Sequence, residues 1–175
     1  MGWKKLSSRT IWENDWMRVM DDEVINPSGG KNQYGYVHFK NRAVGIIPID
    51  ADGNIWLVGQ DRYTLNAWSW ELPMGGAPLS EDPLDAAKRE LKEETGLSAN
   101  KWTEVMRLHT TNSITDEEGI VYLAEELTEG AAEPEETEQL EVRKLPLEDA
   151  VDMVRKGEIT DAISAAALLH IISQR

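Results

Sequence analysis

Glu90, Glu93 and Glu94 stand in a stretch that reads Gly75, five residues, Glu81, seven residues, Arg89-Glu90-Leu91, one residue, Glu93-Glu94, one residue, Gly96-Leu97. Wound at about 100° per residue, a helix gathers the three glutamates within an arc of roughly 100°, beside an apolar stripe of Leu84, Ala87 and Leu91. Carboxylates at i, i+3 and i+4 repel by about a few tenths of a kcal/mol per exposed pair, and by more where half-buried. The pattern therefore predicts a cation that offsets the repulsion. Hard oxygen ligands without His or Cys select Mg²⁺, with Mn²⁺ as a substitute, over Zn²⁺. The turn Pro73-Met74-Gly75-Gly76, just upstream, lets backbone carbonyls approach the same ions.

The helix that must carry these groups has matching signals at both ends. Asp82 suits the N-cap, Pro83 the first turn, Asp85 the positive end of the dipole, and Gly96 a left-handed stop, which predicts a helix over Pro83 to Thr95. Ahead of it, alternation and turn residues predict strands at Arg9 to Glu13, Met17 to Ile25, Gln33 to Phe39, Ala43 to Ile49 and Asn54 to Gln60. The cluster Asn26-Pro27-Ser28-Gly29-Gly30 breaks one pair, and Asp50-Ala51-Asp52-Gly53 closes another as a tight hairpin. Behind it, strands are expected at Val105 to Thr110, Ile120 to Ala124 and Leu140 to Lys144. Helices over Leu147 to Lys156 and Asp161 to Ser173, separated by Gly157, close the chain. The acidic segment Glu129 to Gln139 has no periodicity and reads as a loop. Alternating strands and helices with several hairpins point to an α/β domain with a mixed sheet.

Composition bounds the function. At 175 residues the chain fits one domain with a small appendage, divided as 1–40 and 41–175. It has no cysteine, which excludes a disulfide scaffold, a thiolate metal site and a cysteine nucleophile, and a reducing, cytoplasmic setting is the default. No apolar run approaches the roughly 20 residues of a membrane span. The net charge of −14, with no basic stripe, disfavours nucleic acid as a partner.

The segment Gly75 to Leu97 resembles a complete Nudix box, matching every fixed position. That resemblance implies a Nudix-type α/β/α sandwich, a small N-terminal antiparallel β region, and Mg²⁺-dependent hydrolysis of a diphosphate joining a nucleoside to another moiety. Almost end to end, the chain further resembles the ADP-ribose and nucleoside diphosphate sugar pyrophosphatase branch. The similar pieces are Gln60-Asp61-Arg62-Tyr63, Trp70-Glu71-Leu72-Pro73, Thr115-Asp116-Glu117, Glu138 to Val142 and Glu158-Ile159-Thr160-Asp161-Ala162. It implies a homodimer built partly from residues 1–40, which are rich in Trp and Tyr.

Carried over by position, the resemblance implies metal ligation by Glu90, Glu94 and the Met74 backbone carbonyl, with Glu93 assisting. Arg89 would hold the helix face in shape, and Glu138, with Glu136 in reserve, would serve as the base for water. Arg62 would contact the diphosphate and Glu71 the substrate or a metal-bound water; Glu81 matches the box with a structural role. Trp12, Trp16, Tyr34 and Tyr36 are candidates to stack a nucleobase. His38, His109 and His170 are scattered and read as structural. Where relatives that hydrolyse ADP-ribose carry Ser-Pro-Gly, this chain has Thr111-Asn112-Ser113. Asparagine restores an N–H and adds a side-chain amide, so Asn112 is expected to favour a hexose-linked substrate beside ADP-ribose. Two other readings are a housecleaning hydrolase of nucleoside triphosphates or dinucleoside polyphosphates and a non-catalytic nucleotide-sugar-binding module. The module reading conflicts with a box that retains every carboxylate.

Overall fold

The computed structural model describes residues 2–132 and 139–174. Strands β1 (Lys4–Glu13), β2 (Met17–Ile25) and β3 (Lys31–Phe39) form an antiparallel sheet in that order. Asn26 closes the β2–β3 connection: its Oδ1 accepts the N–H groups of Ser28 and Gly30 while Gly29 takes φ 90°.

The remaining elements are β4 (Asn41–Pro48), β5 (Asn54–Arg62), β6 (Ala67–Glu71), β7 (Met74–Pro78), α1 (Pro83–Thr95), β8 (Leu97–His109), β9 (Glu118–Glu129), β10 (Glu141–Pro146), α2 (Leu147–Lys156) and α3 (Ala162–Ser173). One sheet runs β7-β4-β9-β8 and another β10-β5-β6. The β4–β9 pair is parallel and its neighbours are antiparallel, so the sheet is mixed. Alternation along the strands separates two cores. Val44, Ile46, Ile120 and Tyr122 face α1 through Ala86, Ala87 and Leu91. Ile47, Ile49, Val121 and Leu57 face α2 and α3 through Val151, Ile163 and Leu168. Helices on both faces of a central sheet make an α/β/α sandwich. No helix among the described residues is long and apolar enough to cross a membrane.

Helix α1 has the predicted limits, with the Asp82 side chain accepting from the Leu84 N–H and Gly96 at φ 74°. Helix α3 begins one residue later than expected, because Asp161 serves as its N-cap and accepts from the Ser164 N–H. Strand β8 begins at Leu97, eight residues before the stretch anticipated from Val105, since buried Leu97 and the ladder to β9 draw a weak strand sequence into the sheet. Glu129 belongs to β9 rather than to the acidic loop.

Strands β6 and β7 were not anticipated. In β6, Trp70 pairs with Gly59, and a Cβ at Gly59 would clash with the Trp68 and Trp70 rings. Strand β7 is Met-Gly-Gly-Ala-Pro, without β-branched residues, and it owes its form to backbone pairing of Gly75 with Val44.

Candidate active site

The turn entering β7 and the acidic face of α1 touch directly. A Cβ at Gly75 would overlap the Glu90 carboxylate, so only glycine permits this approach. One turn along, Glu94 is 3% exposed, and its Oε2 accepts the Met74 N–H at 3.0 Å. Strand and helix thus bring Met74, Gly75, Glu90 and Glu94 together.

Arg89 ties the carboxylates to one another. Its Nη1 donates to Glu90 Oε1 at 2.7 Å and Glu93 Oε2 at 3.0 Å, and its Nη2 donates to the Gly76 carbonyl at 3.2 Å and Glu81 at 3.5 Å. Burial opposes the charge of this guanidinium, but Glu90, Glu93 and Glu81 outweigh it and hold the Arg89 pKa above its usual value. Glu81 is therefore a partner of Arg89 rather than part of the Glu90 and Glu94 pair. The arginine keeps three like charges on one face while the groups nearest β7 stay aimed at the turn.

Among the described residues, no three acidic, His or Cys side chains converge tightly enough to cage an ion by themselves. The donor set fits a hard cation that keeps several waters, since Mg²⁺ is commonly bound through one or two carboxylates with substrate phosphates completing the shell. Glu90, Glu94 and the Met74 carbonyl fit that requirement, with Glu93 adjacent and engaged to Arg89. A cleft of about 280 Å³ opens here, lined by Trp16, Asn41, Met74, Gly75, Arg89 and Glu90.

A second cleft, about 680 Å³, is lined by Arg62, Ser69, Glu71, Glu117, Thr160 and Asp161. Arg62 and Glu71 form a fork: Nε donates to Oε1 at 2.9 Å and Nη2 donates to Oε2. Glu71 is 3% exposed, so the fork is anchored from below. The Arg62 pKa is raised, mainly by the Glu71 hydrogen bonds, with Asp161 and Glu94 adding to the effect. Glu94 therefore acts electrostatically on this cleft while its Oε2 supports the turn at Met74.

Asn112 lies elsewhere. It lines a cavity of about 510 Å³ between the N-terminal sheet and the loop before β9, with Trp3, Lys5, Asp22, Tyr34 and Tyr36. Tyr34 donates its hydroxyl to the Ser113 carbonyl at 2.6 Å, and Asp116 receives His38 Nδ1 at 2.5 Å and the Phe39 N–H at 2.9 Å. His38 thus docks the sheet onto the loop. Trp12 is exposed on β1, while Trp16 reaches the cleft beside Gly75. Glu138 and Glu136 lie outside the described residues.

Several lining groups had no signal of their own. Asn41 and Ser69 are isolated polar residues in strand segments. Glu117 and Asp161 lie in segments noted for resemblance, but spacing assigns them no chemistry.

A family model described as NUDIX domain matches residues 39–166, and one described as nucleoside diphosphate sugar hydrolase N-terminal domain matches residues 3–37. An ADP-ribose pyrophosphatase of Bacillus subtilis is 32% identical over 170 residues, covering 96% of this chain and 91% of its own. An ADP-ribose pyrophosphatase of Mycobacterium tuberculosis is 36% identical over 171 residues, covering 95% and 81%. A solved structure titled as an ADP compounds hydrolase superposes with a TM-score of 0.88 at 23% identity, covering 99% of this chain and 94% of that one, which speaks to the fold.

Proposed function

The chain belongs to the Nudix family, and from that premise we propose that it hydrolyses the diphosphate of nucleoside diphosphate sugars, ADP-ribose or a hexose-linked nucleotide among them, with Mg²⁺ as cofactor. The observation that carries this reading is the contact of Met74 and Gly75 with Glu94 and Glu90, which sets a backbone turn against two carboxylates beside an Arg62–Glu71 fork. The matches over 170 and 171 residues to ADP-ribose pyrophosphatases support the substrate class.

Hydrolysis joins a water oxygen to one phosphorus and breaks the bridging P–O bond. The bridging oxygen leaves on the other phosphate, giving a nucleoside monophosphate and a sugar phosphate. Glu90, Glu94 and the Met74 carbonyl would hold the divalent ions, with Glu93 assisting. Bound there, the ions supply Lewis acidity, water activation and charge neutralisation. Arg89 keeps Glu90 and Glu93 in place. Arg62 spends Nε and Nη2 on Glu71, leaving Nη1 to meet a diphosphate oxygen. Glu71 fixes that orientation from a buried position. Glu138 would take the proton from the attacking water. Divalent ions also reverse the local potential of a chain at −14, which by itself repels an anionic substrate.

Trp16 in the cleft beside Gly75, and Tyr34 and Tyr36 in the cavity with Asn112, offer flat rings to a base. The hydroxyls and carboxylates around Arg62 suit the sugar. The active form is a homodimer in the cytoplasm. All ten residues of β1 are exposed, and Trp3, Leu6, Ile11 and Trp12 present an apolar surface that a second copy would cover.

A panel of nucleoside diphosphate sugars, dinucleoside polyphosphates and nucleoside triphosphates with Mg²⁺, scored by released products, tests the activity. Exclusive turnover of triphosphates favours the housecleaning reading, and binding without turnover favours the non-catalytic module. Light scattering tests the dimer, which requires twice the 19.7 kDa chain mass.

A further inference from the structure

Leu72 lies between the end of β6 and the turn at Met74, and its N–H is outside the β5–β6 ladder. That N–H donates to the Oγ of Ser164 at 3.0 Å, across 92 positions of sequence. Both residues are 0% exposed. Ser164 is itself fixed, because its N–H donates to Asp161 Oδ1 at 2.7 Å in the N-cap of α3. The N–H and its acceptor are buried together, so Ser164→Ala takes from the Leu72 N–H the side chain that satisfies it.

The neighbouring backbone groups are held in other ways. Pro73 has no N–H, and its carbonyl accepts from Ile46 at 2.9 Å. The Met74 N–H goes to Glu94. The turn is therefore placed by β4, through the Pro73 carbonyl and the ladder pairs Gly45–Met74 and Val44–Gly75, by α1 through Met74, and by α3 through Leu72. Of these, the α3 anchor is a single side chain with no part in the carboxylate cluster.

We propose that Ser164 is a positioning residue for the divalent-cation site: by holding Leu72, it sets where the Met74 carbonyl stands relative to Glu90 and Glu94. The proposal rests on the reading of those groups as metal ligands. A shift of the turn would move the carbonyl away from the carboxylates without altering any ligand. A residue that served stability alone would not change ion affinity in the folded protein.

The test is direct Mn²⁺ binding, read as free Mn²⁺ by electron paramagnetic resonance, without substrate. Wild type, Ser164→Ala, Ser164→Thr and Leu168→Val are compared at a temperature where all are folded. Leu168 is buried in the same helix, so its truncation destabilises α3 without touching the Leu72 N–H. The expected result is an Mn²⁺ dissociation constant at least about fivefold larger for Ser164→Ala. Ser164→Thr, which keeps the acceptor, and Leu168→Val stay within twofold of wild type. Should the Ala variant not fold, Ser164→Cys, whose sulfur is a weaker acceptor, takes its place under the same thresholds. An unchanged constant in Ser164→Ala, or equal weakening in Leu168→Val, overturns the proposal. The comparison is repeated with a nucleoside monophosphate added and its own Mn²⁺ binding subtracted, and a wild type that binds no Mn²⁺ in either condition removes the metal reading, and this proposal with it.

Discussion

Glu94 accepts the backbone N–H of Met74 at 3.0 Å from a carboxylate that is 3% exposed. A group read as a metal ligand is thus also the tie between α1 and the turn it faces. Ligation and support are separable by chemistry, because an amide oxygen can accept the same N–H but is a poorer ligand for a hard cation.

Glu94→Gln should therefore keep the fold and lose the reaction. Its melting temperature without metal should equal or exceed wild type, since one of three crowded carboxylates has been neutralised. Turnover with Mg²⁺ should fall at least ~100-fold, or about 2.7 kcal/mol in activation free energy. Melting curves and initial rates on the same preparation decide it, and wild-type turnover in the variant would end the assignment of Glu94 as a ligand.

The Arg62–Glu71 fork makes a different prediction, about asymmetry. Truncating Arg62 leaves the Glu71 carboxylate buried without its partner, whereas removing both groups leaves no orphaned charge. Arg62→Ala should destabilise by about 2 kcal/mol or more in urea unfolding at pH 7. The double variant Arg62→Ala, Glu71→Leu should be less destabilised than Arg62→Ala alone. The reverse order would mean that solvent reaches Glu71 and that the fork is not a buried anchor.

The parts of this site that sequence could reveal are those whose signal is local. Asp82, Pro83 and Gly96 fix α1 by capping within the segment itself, so the phase of Glu90, Glu93 and Glu94 follows from counting residues. Strand β7 carries no such signal: two glycines disfavour a strand, and the need of Gly75 for close approach to Glu90 exists only once the helix has packed. Ser164 is hidden for a similar reason. In an apolar helix a serine reads as a small core residue, and its partner is an N–H with no side-chain signature 92 positions away. The Arg62–Glu71 pairing crosses a hairpin whose second strand, β6, was not anticipated, so resemblance named both residues without joining them.

The hairpin that bounds the sheet far from this site predicts acid behaviour. Burial pushes the Asp50 carboxyl up, but Lys144 at 2.8 Å and hydrogen bonds from Asn54 outweigh burial and lower its pKa to about 2. A depressed folded-state pKa contributes stability that is complete above the unfolded value near 4 and is lost as pH falls through about 2. Asp50→Asn should then be less stable than wild type at pH 6, with the gap in melting temperature narrowing from pH 4 toward pH 2. A gap that is constant across that range would assign the effect to the turn hydrogen bonds alone.

The cavity that Asn112 lines sets which part of a substrate it is expected to read. The absent proline favours a hexose at Asn112; its cavity has carboxylates and hydroxyls at Asp22, Asp116, Ser113 and Thr115, as the cleft around Arg62 has its own, but it adds the rings of Trp3, Tyr34 and Tyr36 where that cleft has Phe39 alone. Aromatic faces, one cation and an amide that both donates and accepts suit a base better than a polyol. Loss of the Asn112 amide should therefore discriminate between bases, because a site built to hydrogen-bond a group rejects analogues that lack it. Asn112→Ala should change the ratio of kcat/KM between ADP-linked and UDP-linked substrates of the same sugar by about fivefold or more. The ratio between ADP-ribose and an ADP-hexose should stay within about twofold. ADP-ribose, an ADP-hexose and the UDP derivative of that hexose on two proteins decide it: if the sugar ratio moves and the base ratio does not, Asn112 reads the sugar, and the base belongs elsewhere.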